Sequence, residues 1–120
     1  MTTSQADSIF HALSSRSRRD MLRRTAAARC SVTQLAEHFD MSLAAVSKHV
    51  HVLADAGLLS LTREGRVSWC RLNPSTLRVA RASLDELESY WSKRLDALEQ
   101  ALLEAHSSEA PTPARNRRKR

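Results

Sequence analysis

The sequence predicts a mainly α-helical domain with one small β-hairpin and a long C-terminal helix. Three observations predict this fold class. Apolar residues recur every three or four positions through much of the chain, as they do on one face of a helix. Two strand-like runs surround a Glu-Gly pair near the middle, and only two glycines and three prolines interrupt the 120 residues. We therefore interpret residues 1–106 as one folded domain, and the polar, proline-broken residues 107–120 as a disordered basic tail.

The first half of the chain predicts two short helices joined by a tight turn. Residues Ser31 to Gln34 have the Ser-x-x-Gln pattern of a capping box, in which each side chain satisfies a backbone N–H of the other residue. This box predicts a short helix through Leu35–Phe39. A two-residue connection then leads to Ser42, which can cap the next helix. Two short helices joined in this way form the helix-turn-helix arrangement.

The second of these helices has a face suited to the major groove of DNA. Val46, Val50 and Leu53 recur at helical spacing and predict the side that packs on the core. The other side begins with small residues, which allow close approach, and carries groups that offer hydrogen bonds and positive charge. The residues expected to face the groove, with His49 near its edge, are Ser42, Ala44, Ala45, Ser47, Lys48, His49 and His51.

The strand-like runs cover residues 58–63 and 66–72, and the Glu-Gly pair between them fits a two-residue hairpin turn. Glycine supplies the positive φ that such a turn requires. Arg63 and Arg66 flank the tip of the hairpin, where basic side chains can reach phosphates or a minor groove. A helix-turn-helix followed by a basic hairpin is a winged helix-turn-helix.

The chain carries a series of short motifs at residues 10–13, 18–22, 32–37, 46–49 with Leu53, 56–58 and 71–72. These motifs resemble those of the ArsR-type bacterial repressors, and they occur in the order found in that family. The resemblance extends over about residues 9–104 and implies a homodimeric winged-helix repressor that binds a palindromic operator and releases it in response to a signal. Ser15 and Arg16 depart from the Asp-Pro pair usual before the second helix, so a proline that helps to start that helix is absent.

The C-terminal helix is predicted to form a dimer interface. Asn73 is a plausible cap and Pro74 a plausible first helical residue, and a helix from there to residue 104 extends about 45 Å, with Ser83 as the point where it could break. The small head cannot cover that length, so the apolar remainder needs a partner, and a second copy is the simplest one. The alternative is a helix that folds back on its own domain. The expected interface residues are Phe10, Leu13, Leu84, Leu87, Tyr90, Trp91, Leu95 and Leu98.

Charge is distributed in blocks along the chain. Residues 1–82 carry twelve Arg and Lys against six Asp and Glu, residues 83–106 carry two against six, and the tail carries five against one. The basic head favours double-stranded DNA as a partner, although basic heads also occur on proteins that only need to stay in solution. The tail can contact phosphates or remain a solvated segment without a role.

The family's two common metal sites lack their ligands in this sequence. Ser31 and Thr33 stand where a thiolate pair would be, and residues 74–105 contain no histidine for the site along the last helix. We therefore expect no metal site and no cofactor. A redox-responsive repressor that uses Cys30 and Cys70 stays open as an alternative, although reduced thiols are the default in the cytoplasm.

Enzymatic activity and membrane insertion are not expected. The two glycines form no phosphate-binding loop, and the sequence has no nucleophile elbow and no HExxH motif. No apolar run approaches the roughly 20 residues needed to cross a bilayer, so we expect a cytoplasmic protein. A non-specific architectural DNA-binding protein is the stronger alternative, because Ala44 and Ala45 offer few hydrogen bonds to base edges.

Overall fold

The computed structural model describes residues 3–108, and this part of the chain is mainly helical with a small antiparallel sheet, as predicted. Its helices are α1 (Thr3–Leu13), α2 (Arg16–Ala27), α3 (Val32–Ala36), α4 (Leu43–Asp55) and α5 (Pro74–Ser108). Its strands are β1 (Cys30–Ser31), β2 (Leu59–Glu64) and β3 (Val67–Leu72). None of the helices in residues 3–108 is long and apolar enough to cross a membrane.

The sheet contains one strand more than the predicted hairpin. β1 has two residues and pairs antiparallel with β3, which gives the strand order β1-β3-β2. Two residues are too few to show the alternation that predicts a strand. In the hairpin, Glu64 pairs with Val67, so the turn consists of Gly65 and Arg66, one residue later than predicted. Gly65 has φ +64°, the left-handed conformation that this turn requires.

Side-chain caps explain where α2 and α3 begin. The Ser15 hydroxyl accepts a hydrogen bond from a backbone N–H in the first turn of α2, so this helix starts without a proline. The predicted capping box is confirmed, because Ser31 and Gln34 each accept the other's backbone N–H at 3.0 Å. The predicted end of α3 at Phe39 is wrong, since the helix stops at Ala36 and a turn-rich connection follows.

The hydrophobic core joins the helix-turn-helix to the sheet. The predicted inner face of α4 is confirmed, because Val46, Val50 and Leu53 are fully buried. Burying each such side chain contributes about 1.5–3 kcal/mol, which fixes the orientation of α4 about its own axis. The other buried apolar residues are Ile9, Ala12, Met21, Leu22, Leu35, Leu58, Leu59, Cys70 and Ala80.

Helix α5 continues through Ser83, so the break that the sequence suggested there does not occur. The described part of the chain divides at this point into two compact units, residues 3–83 and residues 84–108. Asn73 directly precedes α5 and accepts a hydrogen bond from the Ser75 hydroxyl through Oδ1 at 2.7 Å. Residues 107 and 108 belong to α5, whereas residues 109–120 of the predicted basic tail lie outside the described residues.

Candidate nucleic-acid interface

The side of α4 opposite the core forms the candidate groove face. Ser42 caps the helix as predicted, because its hydroxyl accepts the backbone N–H of Ala45 at 3.1 Å. Ala44 and Lys48 are exposed, whereas Ala45 and Ser47 are half-buried. We use the name groove face for Ser42, Ala44, Ala45, Ser47, Lys48 and His51.

His51 presents a hydrogen-bond acceptor on this face. Its Nδ1 lies 2.8 Å from the Ser47 carbonyl oxygen, one turn earlier in α4. A carbonyl oxygen can only accept, so Nδ1 carries a proton and donates it to Ser47. Nε2 of the neutral ring is then the acceptor, and it can receive a hydrogen bond from an exocyclic amine of cytosine or adenine. His51 and Lys48 therefore supply complementary chemistry on the same face.

A cleft of about 370 Å³ lies beside the groove face, between the starts of α3 and α4 and the tip of the sheet. Leu43, at the first position of α4, is 53% exposed and lines this cleft. An apolar side chain at such a position can contact a thymine methyl group. Leu43 is not among the residues that the sequence predicted to face the groove. The remaining lining residues are Ser31, Val32, Thr33, Ser47, Arg66, Val67 and Ser68.

Both predicted wing arginines are exposed at the hairpin tip. Arg63 lies near the end of β2 and donates from Nε to the Gly65 carbonyl at 3.3 Å, which folds it back along the turn. Arg66 lies in the turn itself and lines the cleft. Both guanidinium groups therefore lie at the hairpin tip, and the cleft separates Arg66 from the groove face.

Arg29 anchors the wing to the loop that follows α2. Its guanidinium carbon lies 4.0 Å from the ring centroid of Trp69 in β3, and its Nη1 lies 2.9 Å from Oε2 of Glu64 in β2. A stacked cation is worth about 0.5–1 kcal/mol at an exposed site, and an exposed ion pair adds about 1 kcal/mol or less. One side chain therefore connects this loop to both long strands.

The structure corrects the expected role of His49. Instead of bordering the groove, its half-buried ring faces α2, where Nδ1 lies 3.2 Å from Nη1 of Arg18. His49 follows Val46 by three positions and precedes Leu53 by four, so helical geometry places it beside the buried stripe. Arginine can only donate, so Nδ1 of His49 accepts and the ring is neutral in this arrangement.

Arg18 connects α4 to the end of α1. It is 9% exposed, and its Nε donates to the Ala12 carbonyl at 2.8 Å. Its Nη2 donates to the His11 carbonyl at 3.0 Å. Both carbonyls belong to the last turn of α1, where backbone acceptors have no partner within the helix. One buried guanidinium thus caps α1 and also holds His49.

This environment predicts that the stability of the fold depends on pH. Burial lowers the pKa of His49 below its ordinary value of 6.5, and the positive charges of Arg18 and Lys48 lower it further. Below about pH 6.5 the unfolded chain therefore binds a proton that the folded chain does not. The free energy of unfolding should fall as the pH falls through this range, by at most about 1.4 kcal/mol per pH unit from this group.

Urea denaturation between about pH 7.5 and about pH 5.5 measures this dependence. The variant His49→Gln keeps an acceptor for Arg18 and does not titrate, so its free energy of unfolding should fall less over that range. His38→Gln removes an exposed histidine and is the matched control. Equal pH dependence in wild type and His49→Gln would contradict the prediction.

The second unit carries an unpaired apolar stripe along α5. Trp91 is 53% exposed, and within its own chain its ring meets Tyr90 edge-on, with centroids 5.8 Å apart. A continuous row of exposed apolar side chains along one side of a helix is typical of an interaction surface. Phe10 and Leu13, also predicted for the interface, are partly buried against the core of the first unit. We use the name α5 stripe for Leu84, Leu87, Trp91, Leu95, Leu98 and Leu102, all of which are exposed.

Neither of the two positions that a metal-binding thiolate pair would occupy holds a cysteine. Ser31 is buried and caps α3, and Thr33 is exposed beside the cleft. Within residues 3–108, the structure contains no cluster of three or more His, Cys, Asp or Glu side chains that could hold a metal ion.

The chain resembles one family model in sequence and several solved structures in both sequence and fold. A family model described as a helix-turn-helix domain matches residues 13–62. An ArsR family transcriptional regulator of known crystal structure is 33% identical, and the match covers 77% of this chain and 95% of that one with a TM-score of 0.72. An ArsR-like transcriptional regulator from Rhodococcus sp. RHA1 is 28% identical over 82% of this chain and 92% of that one, with a TM-score of 0.74.

A more distant structure shares the fold. The homodimeric winged helix-turn-helix DNA-binding domain from Mycobacterium bovis, described as a possible ArsR-family regulator, is 22% identical. The match covers 71% of this chain and 80% of that one, with a TM-score of 0.59. No curated protein matches the chain.

Proposed function

The chain belongs to the ArsR family of transcriptional regulators, and from this premise we propose that it is a homodimeric repressor that binds a palindromic operator in double-stranded DNA. Its family consists of regulators and not of enzymes. The observation that carries the proposal is the groove face. Burial of the opposite side of α4 fixes that face outward, and it combines small residues with a cation and a ring acceptor.

The groove face has the chemistry to recognise bases in a major groove. Ala44 and Ala45 leave room for the backbone of α4 to approach the base edges closely. Lys48 donates and suits the acceptors of guanine, whereas Nε2 of His51 accepts and suits cytosine or adenine. Two such contacts on one face distinguish base pairs, since each base pair presents its own donor and acceptor pattern in this groove.

The wing supplies contacts that do not depend on sequence. Arg63 and Arg66 project from the hairpin tip, and guanidinium groups pair well with phosphate oxygens. Phosphate contacts set the register of a protein on the duplex and provide much of its affinity. The cleft between the wing and α4 separates these two kinds of contact.

The α5 stripe supports the homodimer. A closed two-fold dimer presents the same surface of both copies, so one stripe can pack against its equivalent. The Mycobacterium bovis domain with this fold is a homodimer. Two copies present two α4 helices, which can read half-sites about one helical turn apart, and the symmetry of the protein then requires a palindromic operator.

A non-specific architectural DNA-binding protein is the second candidate function. It is favoured by the small residues Ala44 and Ala45, which make few hydrogen bonds to base edges. The ratio of operator affinity to random-DNA affinity separates the two functions, because a specific regulator typically binds its site about a thousandfold or more tightly. A duplex selected from a random-sequence library serves as the operator in this measurement.

The groove face is tested by the double variant Ser47→Ala, Lys48→Ala. Loss of one good base contact costs about 1–3 kcal/mol, so operator affinity should fall by about fivefold to 150-fold. Fluorescence anisotropy with labelled operator and random duplexes measures this. Lys93→Ala removes the same charge from α5 and is the matched control. A normal circular dichroism spectrum with unchanged operator affinity would exclude α4 from recognition.

A further inference from the structure

The two cysteines, which are far apart in sequence, lie directly opposite each other in the sheet. Cys30 in β1 pairs with Cys70 in β3, and both thiols are free. Residues directly opposite in an antiparallel pair have Cα atoms about 4.5–5.5 Å apart and side chains on the same face of the sheet. Disulfides usually span Cα distances of about 4.4–6.8 Å. The backbone register therefore brings this pair within bonding range.

The two thiols differ in access and in reactivity. Cys30 is half-buried, and its Sγ lies 3.6 Å from the Ala28 carbonyl oxygen and 3.8 Å from that of Arg24. Cys70 is fully buried, and this burial, together with the neighbouring Cys30, raises the pKa of its thiol to about 11. An oxidant from solution can therefore reach Cys30, whereas Cys70 is shielded and can react only with Cys30.

We propose that Cys30 and Cys70 form a cross-strand dithiol that hydrogen peroxide closes to a disulfide, and that closure lowers operator affinity. The Cys30 thiol gives up its proton, its thiolate attacks one peroxide oxygen, and the O–O bond breaks; the departing hydroxide takes up that proton, so Cys30 sulfenic acid and water are formed. The Cys70 thiol then gives up its proton, its sulfur attacks the Cys30 sulfur, and the S–O bond breaks; the departing hydroxide takes up this proton and leaves as a second water. In total, two thiols lose two electrons and two protons, and one peroxide becomes two water molecules.

The consequence for DNA binding follows from what the bridge joins. β1 leads directly into α3, with Ser31 as the cap, and β3 is the second strand of the wing. A disulfide requires Cβ atoms about 3.8 Å apart, closer than the 4.5–5.5 Å of an ordinary opposite pair. Closure therefore pulls the start of α3 towards the wing. This shift changes the position of the groove face relative to the wing arginines, which the reduced protein presents to DNA at the same time. This step rests on the proposed function.

The first measurement is chemical and needs no DNA. The intact protein is treated with hydrogen peroxide and analysed by mass spectrometry and thiol titration under denaturing conditions. We expect one protomer to lose two hydrogen atoms and both thiols, with full recovery after dithiothreitol. Closure should be faster at higher pH, since Cys70 must lose its proton to attack. The Cys30→Ser variant should form no intramolecular disulfide. In the Cys70→Ser variant, the reaction should stop once Cys30 is oxidised.

The second measurement compares operator affinity in the reduced and oxidised states by anisotropy. We expect the oxidised wild type to bind the selected operator about tenfold more weakly, a change typical of coupling between two sites. Cys30→Ser and Cys70→Ser should bind equally before and after peroxide treatment. A disulfide that leaves affinity unchanged, or the absence of a disulfide, would overturn the inference. Failure of the reduced protein to bind any operator would instead overturn the proposed function.

Discussion

Replacing Trp91 with glutamate should convert the proposed dimer to a monomer and abolish tight operator binding. Trp91 lies in the middle of the α5 stripe and is exposed. Among the described residues of its own chain, the one aromatic ring that it contacts is that of Tyr90. The substitution therefore leaves the fold of each chain intact. In the dimer it removes a large aromatic group and buries a carboxylate, which costs at least about 2 kcal/mol per copy.

A two-fold interface contains the substitution twice, so the effects add. About 4 kcal/mol raises the dimer dissociation constant by roughly a thousandfold. Analytical ultracentrifugation measures this constant directly, and anisotropy measures the loss of operator affinity in the same samples. The matched control is Ser89→Glu, which adds the same charge on the opposite side of α5. A dimeric Trp91→Glu protein would place the interface elsewhere, and a monomer with full operator affinity would show that one copy suffices.

Replacing Arg18 with alanine should lower the free energy of unfolding by about 3 kcal/mol. The buried guanidinium donates to two carbonyl oxygens at the end of α1 and to Nδ1 of His49. The His11 carbonyl keeps two hydrogen bonds from Ser14, so the main loss is the bond to the Ala12 carbonyl; a hydrogen bond from a charged group contributes about 1.5–3 kcal/mol. The loss also leaves a space beneath α4, because the alanine cannot fill the volume of the arginine stem.

Chemical denaturation of the Arg18→Ala variant measures this change, with Arg19→Ala as the matched control. Arg19 is exposed and makes one hydrogen bond to the Leu13 carbonyl, so its loss should cost about 0.5 kcal/mol or less. Arg18→Lys keeps the charge but not the planar set of donors, and should fall between the two. Equal stabilities for Arg18→Ala and Arg19→Ala would contradict the role assigned to Arg18.

The elements that the sequence predicted best are those whose signals are local. The cap at Ser42, the stripe of α4 and the left-handed Gly65 each depend on residues within one or two turns of chain. A capping box needs only four consecutive residues, and the one at Ser31 is present as predicted. Local patterns therefore predicted that the helix-turn-helix and the hairpin exist, but they missed the end of α3 by three residues and the hairpin turn by one.

The features that the sequence did not reveal depend on contacts between distant segments. The pairing of Cys30 with Cys70 spans 40 positions and involves a strand of two residues, for which no periodic pattern exists. His49 was predicted to lie near the groove edge, whereas its ring lies against Arg18 on another helix. No local signal marks Arg18 as a buried residue, since arginine is usually exposed. The placement of the groove face on DNA and the use of the α5 stripe in a dimer stay predictions.

Gly57 lies two residues after the end of α4 and has the left-handed conformation, with φ +81°. Its carbonyl oxygen accepts from the Thr76 hydroxyl at 2.6 Å and from the Asn73 amide at 3.2 Å. A Cβ at this position would lie 3.3 Å from Oγ1 of Thr76, and the backbone conformation itself disfavours any side chain. Two unrelated obstacles thus oppose every substitution here, and a compensating change at Thr76 would remove only one of them. The exposed residues of α4, such as Ala44 and Lys48, meet neither obstacle, so variation is tolerated along the exposed side of this helix and opposed at the junction that follows it.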